Sequence, residues 1–345
     1  MAAVLTKQST EPRPDKYEFT MSQSLAIDQI PDQPGTFVSR TLPQRLGNSA
    51  PIAYGGCTAG LAVHSACKTI DKPNFHIYSV LGTFLGPTRI DRHVTCRVTR
   101  TRDTKTFCTR RVVASQEMDD GSERTCLDIF VDFHVLEPEL LRYSASPMKS
   151  YGAGPEDPAA TTKSSDLAHR LVKEGHIPQT QADKHTEMFA LSEKLIETRH
   201  CLAGVSGQNF SGLAKNITTT QHQLSIPERT SAEWMRLRRP LSNEAEYAAA
   251  LAFIMDGALS FLPLNLDKKN FDDVGACSTL DFALRIMVPG FKLHKWHLRE
   301  RRTIAAAVGR SYSESRLWDE AGNMVAVENQ SCIARPRPDQ AKARI

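Results

Sequence analysis

Long apolar runs are missing from this chain of 345 residues. No stretch approaches the roughly 18 consecutive apolar residues of a membrane-spanning helix, so we expect no membrane span. The segment from Met1 to Pro14 lacks the apolar centre of a secretory signal, and export is therefore not expected. These two absences predict a soluble, intracellular protein.

Paired metal-binding or redox cysteines are also missing. No two cysteines form a C-x-x-C pair, and no cluster of His and Cys has the spacing of a zinc site. There is no phosphate-binding glycine loop and no dinucleotide fingerprint. We therefore expect no metal and no cofactor. Reduced thiols that fill the core are expected at Cys57, Cys67, Cys96, Cys108, Cys126, Cys201, Cys277 and Cys332.

A strong charge imbalance is absent as well. Lys and Arg number 43 against 39 Asp and Glu, which gives a net charge of +4. This excess does not indicate nucleic-acid binding, although it would not repel an anionic small ligand. Hydrophobic residues at 40% and charged residues at 24% are ordinary for a globular protein, and the length allows two domains.

One buried helix followed by strands is the first pattern in the chain. Residues 1–34 are polar and are expected to form a loose lead-in. From Gly55 to Cys67 the residues are small and apolar nearly all round, which predicts a helix buried on most sides. Four strands are predicted to follow, at about 76–85, 92–101, 106–115 and 124–136. This order describes an antiparallel sheet curled around a helix.

The same order recurs in the second half of the chain. A helix at about 243–261 precedes predicted strands at about 276–287, 293–302, 304–316 and 323–334. The hairpin glycines Gly121 and Gly322 occupy matching places in the two halves. We therefore predict an α+β fold of two fused units. The predicted boundaries are a first domain at 35–137, a linker with some helix at 138–233, a second domain at 234–336 and a tail at 337–345.

Asp256 is the most informative polar residue. Its neighbours three positions away on the predicted helix are Phe253 and Leu259, so its side chain lies in an apolar stripe. An isolated carboxylate there is unfavourable unless it has partners, and a capping or packing role is the alternative to a catalytic one. The first helix contains no Asp or Glu between Gly55 and Ile70. One active site per chain is therefore expected.

Thr279 and Gln330 are not distinguished by pattern alone. Leu280 and Phe282 belong to an apolar alternation, so Thr279 is predicted to share the more polar strand face with Asp281. A solvent-facing threonine is the simplest interpretation of that position. Gln330 lies late in the last predicted strand, in a mixed pattern that decides little.

Three stretches resemble the type II acyl-CoA thioesterases, a family that includes bacterial thioesterase II and peroxisomal acyl-CoA thioesterases. The stretch from Ala250 to Pro263, ALAFIMDGALSFLP, is similar to the family's second-domain helix, and Asp256 falls at its catalytic position. The stretch from Ser278 to Asp281 resembles the strand that supplies the catalytic threonine, here Thr279. The stretch from Val325 to Gln330 resembles the last strand, which ends in the catalytic glutamine. Further landmarks match at Trp234, Gly55-Gly56, Phe84-Leu85 and Arg110 to Gln116.

The resemblance runs from about residue 35 to 335 and implies a double hot-dog fold, with each sheet wrapped around a central helix. It also implies a hydrolytic mechanism. Asp256 would take a proton from a water molecule that Thr279 and Gln330 hold, and that water would cleave an acyl-CoA thioester. No metal and no covalent intermediate are required.

Substrate binding is expected at the start of the first helix, at Tyr54, Gly55 and Gly56, whose backbone amides are candidate oxyanion donors. Cationic side chains would have to bind the CoA phosphates. A solvated strand face is the alternative interpretation of the candidate cations. These candidates are Arg97, Arg100, Arg102, Lys105, Arg110, Arg111 and the run from Arg299 to Arg302.

The chain departs from the family pattern in its first unit. Cys57 stands where the family usually has Gln, and Gly86 and Thr88 stand where it usually has Arg and Gly. These departures bear on substrate range and assembly. Two other functions stay open: a hot-dog hydratase or dehydratase, which generally depends on a His paired with an acid, and a non-catalytic acyl-thioester-binding protein.

Three competing motifs are set aside. The stretch from Gly56 to Gly60 mimics a G-x-S-x-G nucleophile elbow, but it has Thr at the nucleophile position and antiparallel surroundings. Cys57 could act as a nucleophile with His64 or His76, although a buried small residue is the simpler interpretation. The pair His294 and His297 has no third ligand nearby, so metal binding is not expected there.

Location and assembly are two further expectations. The tripeptide Ala343-Arg344-Ile345 has the small–basic–aliphatic form of a peroxisomal signal, and a frayed basic tail is the alternative. We expect a peroxisomal or cytoplasmic location. Open sheet edges and apolar faces of fused hot-dog units invite further pairing, so a homo-oligomer is expected.

Overall fold

Alternating inward and outward side chains build one antiparallel sheet. The structure, a computed structural model, describes residues 19–48 and 50–337. The strands in these residues are β1 (Ile27–Gln29), β2 (Thr36–Ser39), β3 (Phe75–Phe84), β4 (Thr95–Asp103), β5 (Phe107–Glu117), β6 (Glu123–Val135), β7 (Thr161–Lys163), β8 (Ile196–Cys201), β9 (Ser231–Leu237), β10 (Ala276–Ile286), β11 (His297–Ala307), β12 (Arg310–Asp319) and β13 (Met324–Arg335). They join in the order β1-β2-β4-β5-β6-β3-β10-β13-β12-β11-β9-β8-β7.

The helices are fewer and mostly short. They are α1 (Met21–Ser24), α2 (Gly55–Cys67), α3 (Ser164–Lys173), α4 (Gln179–Met188), α5 (Ala190–Leu195), α6 (Val205–Asn209), α7 (Glu244–Met255) and α8 (Leu262–Leu266), with 3-10 turns at Ile226–Glu228 and Phe271–Asp273. Across residues 19–48 and 50–337, no helix combines the length and the apolar character that crossing a bilayer requires.

Helices α2 and α7 lie side by side in the core, and the sheet surrounds them. The residues of α2 from Gly56 to Ala66 are all buried, and so are those of α7 from Tyr247 to Met255. Both helices share one hydrophobic cluster with inward-facing strand residues such as Leu127 and Leu284. A helix that is apolar on all sides is stable in such an enclosed position. The predicted α+β double hot-dog fold is therefore confirmed.

The two units meet where β3 pairs with β10. Strands β1 to β6 form one half of the sheet and β7 to β13 form the other half. Antiparallel pairing places Gly82 opposite Phe282 and Ser79 opposite Arg285, which joins the halves into one surface. Inside the sheet, α2 packs directly against α7. Residues from both units can therefore build one site near this seam.

Several predicted boundaries are displaced. The helix predicted at 243–261 ends at Met255. Strand β11 extends to Ala307, beyond its predicted end, because the turn that separates it from β12 lies at Val308-Gly309, where both residues have positive φ. Five strands were not predicted, because they are short or lie in segments whose sequence is polar or irregular. They are β1, β2, β7, β8 and β9.

A buried ion-pair cluster lies between β9 and β11. Glu233 accepts hydrogen bonds from Arg299 Nε at 3.0 Å and from Arg301 Nη2 at 2.9 Å. The side chains of Glu233, Arg299 and Arg301 are 5%, 10% and 6% exposed. Although burial acts to raise it, the two arginines hold the pKa of Glu233 well below its usual range. The carboxylate therefore stays charged inside the protein.

We expect Glu233→Gln to destabilise the fold by about 3–5 kcal/mol, because the change leaves two buried guanidinium groups without a counterion. Chemical denaturation at pH 7.5 measures this loss. Glu139→Gln is the control, since Glu139 pairs with Arg142 while 61% exposed, and such pairs contribute about 0–1 kcal/mol. A Glu233→Gln loss no larger than that of the control would contradict the assigned role of the cluster.

Candidate active site

Asp256 is the C-terminal cap of α7 and lies inside the protein. The helix ends there because Gly257 and Ala258 follow, and Ala258 has a left-handed backbone with φ of +70°. Asp256 itself is 9% exposed. Its carboxylate therefore needs protein partners for its hydrogen bonds, because water reaches little of it.

The structure brings the three predicted catalytic residues into direct contact. Gln330 Nε2 donates a hydrogen bond to Asp256 Oδ1 at 2.9 Å, and Thr279 Oγ1 lies 3.4 Å from the same oxygen. The hydroxyl of Thr279 also donates to Gln330 Oε1 at 3.1 Å. Residues 23 and 74 positions apart in sequence thus form one hydrogen-bonded group. Their catalytic roles stay a prediction.

Thr279 reaches this group because of a β-bulge at Leu280. Thr279 pairs with Cys332, whereas Asp281 pairs with Ser331, so Leu280 is an extra residue in the ladder. The bulge reverses the alternation of faces, and Thr279 lies on the inner side together with Phe282 and Gln330. The prediction that Thr279 shares the polar face with Asp281 is therefore wrong. Bulges often redirect a side chain in this way beside a functional site.

The first turn of α2 lies against Asp256, as close as glycine allows. A β-carbon on Gly55 would lie 2.9 Å from Asp256 Oδ2 and 3.0 Å from the ring of Phe84. A β-carbon on Gly56 would lie 2.4 Å from the carbonyl oxygen of Phe253. Larger residues would force the two helices apart. The amide of Gly56 in this turn acts to lower the pKa of Asp256, so the predicted oxyanion site and the carboxylate are neighbours.

The electrostatic surroundings of Asp256 make it a stronger base than an ordinary aspartate. Burial raises the pKa of Asp256 to about 6, and hydrogen bonds from Gln330, Gly56 and Thr279 oppose that rise. A carboxyl group with this pKa is still mostly ionised at pH 7.5. It accepts a proton more readily than an exposed aspartate does, which suits a general base.

Side chains hold the carbonyl groups at the end of α7. The hydroxyl of Tyr54 donates to the carbonyl oxygen of Phe253 at 2.7 Å. Arg299 donates to that of Ile254 at 2.5 Å, and Arg301 donates to that of Gly257 at 3.3 Å. The last carbonyls of a helix have no partner within the helix, so these bonds fix the position of Asp256. The hydroxyl of Tyr54 has a structural role in this bond. Substrate binding by Tyr54 stays a prediction.

The buried arginines do not serve as phosphate-binding cations. Arg299 and Arg301 are occupied by Glu233 and by the end of α7. Arg110 is 1% exposed and donates to Thr69 and Asp103. Most of the other candidates form ion pairs at the surface: Arg97 with Glu123, Arg100 with Asp71, Arg102 with Asp132, Arg111 with Asp128 and Arg302 with Glu314. The exposed candidates, which include Lys105, therefore stay predictions for phosphate binding.

The competing motifs have structural partners instead. Burial raises the pKa of Cys57 to about 12, so its thiol stays protonated and is a poor nucleophile. His64 Nδ1 lies 2.7 Å from the carbonyl oxygen of Leu25. His294 contacts the hydroxyl of Tyr247 and His297 contacts a backbone carbonyl. Among the residues that the structure describes, no three His, Cys, Asp or Glu side chains are grouped so as to hold a metal ion.

Glu328 is a neighbour of this site that the sequence analysis did not single out. It lies on β13 two residues before Gln330, is 1% exposed and accepts a hydrogen bond from Gln330 Nε2 at 2.6 Å. One signal was available in the sequence: residues two apart on a strand share a face, so Glu328 shares the face of the predicted catalytic residue Gln330.

Two family descriptions match the chain. The acyl-CoA thioesterase N-terminal domain matches residues 42–134, and the acyl-CoA thioesterase C-terminal domain matches residues 199–334. Together they cover about two thirds of the sequence. Asp256, Thr279 and Gln330 fall within the second match, and the first turn of α2 falls within the first. No curated protein sequence matches the chain.

Solved structures share the fold over nearly the whole chain. An acyl-CoA thioesterase II from Mycobacterium marinum is 19% identical, with 92% of this chain and 98% of that chain covered and a TM-score of 0.63. A tesB protein of Mycobacterium avium subs paratuberculosis is 18% identical, with the same coverage and a TM-score of 0.62. A hot-dog protein from Alicyclobacillus acidocaldarius is 14% identical, with 91% and 97% covered and a TM-score of 0.62. These likenesses show the fold.

We expect the free energy of unfolding of Asp256→Asn, relative to that of the wild type, to be about 2 kcal/mol higher at pH 8 than at pH 4.5, because one unit of pKa shift corresponds to about 1.4 kcal/mol. The folded-state pKa of Asp256, about 6, lies above the unfolded value of 3.8. The wild-type chain therefore loses stability as the pH rises between these two values, and the asparagine variant does not. Calorimetry at pH 4.5 and pH 8 measures the difference.

The control for this prediction is Asp281→Asn, on the exposed side of the bulge in β10. The gap in unfolding temperature between Asp256→Asn and the wild type should widen towards pH 8, and the gap for the control should not. A gap that is the same at both pH values would show that the Asp256 carboxylate is not destabilised by burial.

Proposed function

This chain belongs to the acyl-CoA thioesterase family and is a thioester hydrolase, and we propose that Asp256 is the general base of its hydrolytic reaction. The observation that carries this proposal is the contact of Asp256 Oδ1 with both Gln330 and Thr279 at the seam between the two units. The proposed substrate is an acyl-CoA, which is cleaved to a free acid and CoA.

The hydrogen bonds around Gln330 support a position for the attacking water. The amide nitrogen of Gln330 donates both of its hydrogens, one to Asp256 and one to Glu328. The water is therefore proposed to meet acceptor oxygens, namely the carboxylate of Asp256, the carbonyl of Gln330 and the hydroxyl of Thr279. When it donates its hydrogens to two of these, its lone pairs face the thioester.

The proposed reaction has two steps. In the first, the water oxygen bonds to the thioester carbonyl carbon while one of its protons passes to Asp256, and the carbonyl oxygen becomes an oxyanion. In the second, the oxyanion re-forms the carbonyl and the carbon–sulfur bond breaks. The CoA sulfur takes the proton from Asp256, which regenerates the base.

The oxyanion is proposed to lie near the first turn of α2. The first N–H groups of a helix have no acceptor within the helix, and the helix dipole adds a partial positive charge there. Gly55 keeps this turn open, because it has no side chain between the helix and Asp256. Phe84 and Phe282, whose ring centroids are 5.8 Å apart, offer an apolar surface beside it for the acyl group.

Hydrolysis fits this site better than the two alternatives. A hydratase or dehydratase of this fold generally depends on a His paired with an acid. Among the described residues, the side-chain polar atoms next to Asp256 Oδ1 belong to Gln330 and Thr279, and neither is a histidine. A non-catalytic binding protein would not need a buried carboxylate whose pKa is raised to about 6.

We expect Asp256→Asn to lower kcat for acyl-CoA hydrolysis by at least about a hundredfold, because asparagine cannot accept the proton from water. Release of free thiol from a panel of short, medium, long and branched acyl-CoAs measures this. The wild-type kcat/KM should also fall below pH about 6, where the carboxylate becomes protonated. The control Asp281→Asn should retain activity. Unchanged turnover by a folded Asp256→Asn variant would rule out Asp256 as the base.

Assembly and location stay proposals. The homo-oligomer proposal is supported by the ends of the sheet, where β1 and β7 each pair with one neighbour in the described residues. Light scattering that shows a monomer at micromolar concentration would contradict it. The proposed peroxisomal signal at Ala343-Arg344-Ile345 lies outside the described residues, and a fluorescent fusion with and without these residues tests it.

A further inference from the structure

Glu328 is a second buried carboxyl group at the proposed hydrolytic site. Its side chain lies on the inner face of β13 with that of Gln330, since residues two apart on a strand point the same way. It is 1% exposed, and its Oε1 is 2.6 Å from the amide nitrogen of Gln330. The reaction described above does not use it, yet a buried acid in this position needs a physical reason.

Burial and the nearby Asp256 favour the uncharged form of Glu328, and Arg299 and the Gln330 amide oppose them. The charged or titratable groups that face it are Asp256 at the end of α7, Arg299 of β11 and Tyr54 before α2. Its pairing neighbours in β10 and β12 are Leu284 and Ser315, which carry no charge. Burial, and then the nearby Asp256, raise the pKa of Glu328 well above its usual range.

The Gln330 amide has one orientation that satisfies all of its neighbours. Its nitrogen has two hydrogens, and two carboxyl oxygens receive them, one from Asp256 and one from Glu328. Its oxygen accepts the hydroxyl of Thr279 at 3.1 Å. Without an acceptor at position 328, one buried N–H would lose its partner and the amide would be free to rotate away from Asp256.

We infer that Glu328 is a positioning residue of the hydrolytic site, whose carboxyl group fixes the Gln330 amide with its nitrogen towards Asp256 and its oxygen towards the attacking water. This inference rests on the proposed function. It assigns Glu328 no contact with the substrate, and it requires an acceptor at position 328 more than it requires a charge.

Two variants separate the acceptor from the acid. Glu328→Gln keeps an oxygen acceptor and should retain kcat within about threefold. Glu328→Met has similar length and no such acceptor, and should lower kcat at least about tenfold while KM changes less than about threefold. Val327→Met places the same residue on the opposite face of β13 and is the matched control, expected to behave as the wild type.

The pH profile adds a readout that a purely structural role would not move. The hydrogen bond from Gln330 lowers the pKa of Asp256, so loss of amide orientation should shift the acid limb of kcat/KM upward in Glu328→Met. The same limb should be unchanged in Glu328→Gln. A folded Glu328→Met variant with wild-type kcat and acid limb would overturn the inference. Equal loss of kcat in both Glu328 variants would also overturn it, because the acid itself would then be required.

A third measurement needs no substrate. Because the folded-state pKa of Glu328 lies above its unfolded value, the wild type loses stability as the pH rises above about 4.3, and Glu328→Gln does not. The unfolding temperature of Glu328→Gln should therefore exceed that of the wild type by several degrees more at pH 8 than at pH 4.5. An equal difference at both pH values would contradict the buried, uncharged state.

The activity and stability measurements distinguish failure of the proposed function from failure of the inference about Glu328. If the wild-type chain releases no thiol from any acyl-CoA, the proposed substrate is wrong, and the stability measurement still decides the state of Glu328. If the wild type is active and Glu328→Met is unaffected, the inference fails while the proposed function stands.

Discussion

Burial of one carboxylate between two helix ends is the constraint on which the rest of the site depends. Asp256 closes the C-terminal end of α7 and lies against the first turn of α2, where Gly55 leaves room for its carboxylate. A buried charge in this place requires donors on every side. The amide of Gln330 supplies one donor. The bulge in β10 brings the Thr279 hydroxyl to the carboxylate, and the glycines of α2 allow the helix to approach it. The buried cluster of Arg299, Arg301 and Glu233 holds the end of α7 in position.

Fusion of the two units follows from the same constraint. The second unit supplies the carboxylate and its side-chain partners, whereas the first supplies the helix start that faces them. Neither helix could provide both parts, because α2 contains no acidic residue and α7 presents its C-terminal end. The pairing of β3 with β10 keeps the two parts in register. The two parts of the proposed site therefore come from different units of the chain.

The sequence predicts the fold and Asp256 more securely than it predicts the rest of the site. The apolar helices and the alternating strands predict two α+β units, each a sheet curled around a helix. The resemblance to the thioesterase family adds the double hot-dog fold and the choice of Asp256. Thr279 could not be placed from alternation, because one extra residue at Leu280 reverses the strand faces. The partners of Arg299 and Arg301 depend on long-range pairing with Glu233, which no local pattern reveals. Glu328 was missed for a similar reason, since its importance comes from the amide that it contacts.

Single-turnover hydrolysis in water labelled with oxygen-18, with the enzyme in excess over an acyl-CoA, tests the central claim most directly. If Asp256 activates a water that attacks the thioester itself, the free acid formed in the first turnover carries the label. If Asp256 instead attacks the thioester, the acyl-aspartyl intermediate can be opened at the aspartyl carbonyl. The first acid released would then carry unlabelled oxygen, and the label would be found in the enzyme. Labelled acid is the result that this account predicts, and unlabelled acid would contradict it.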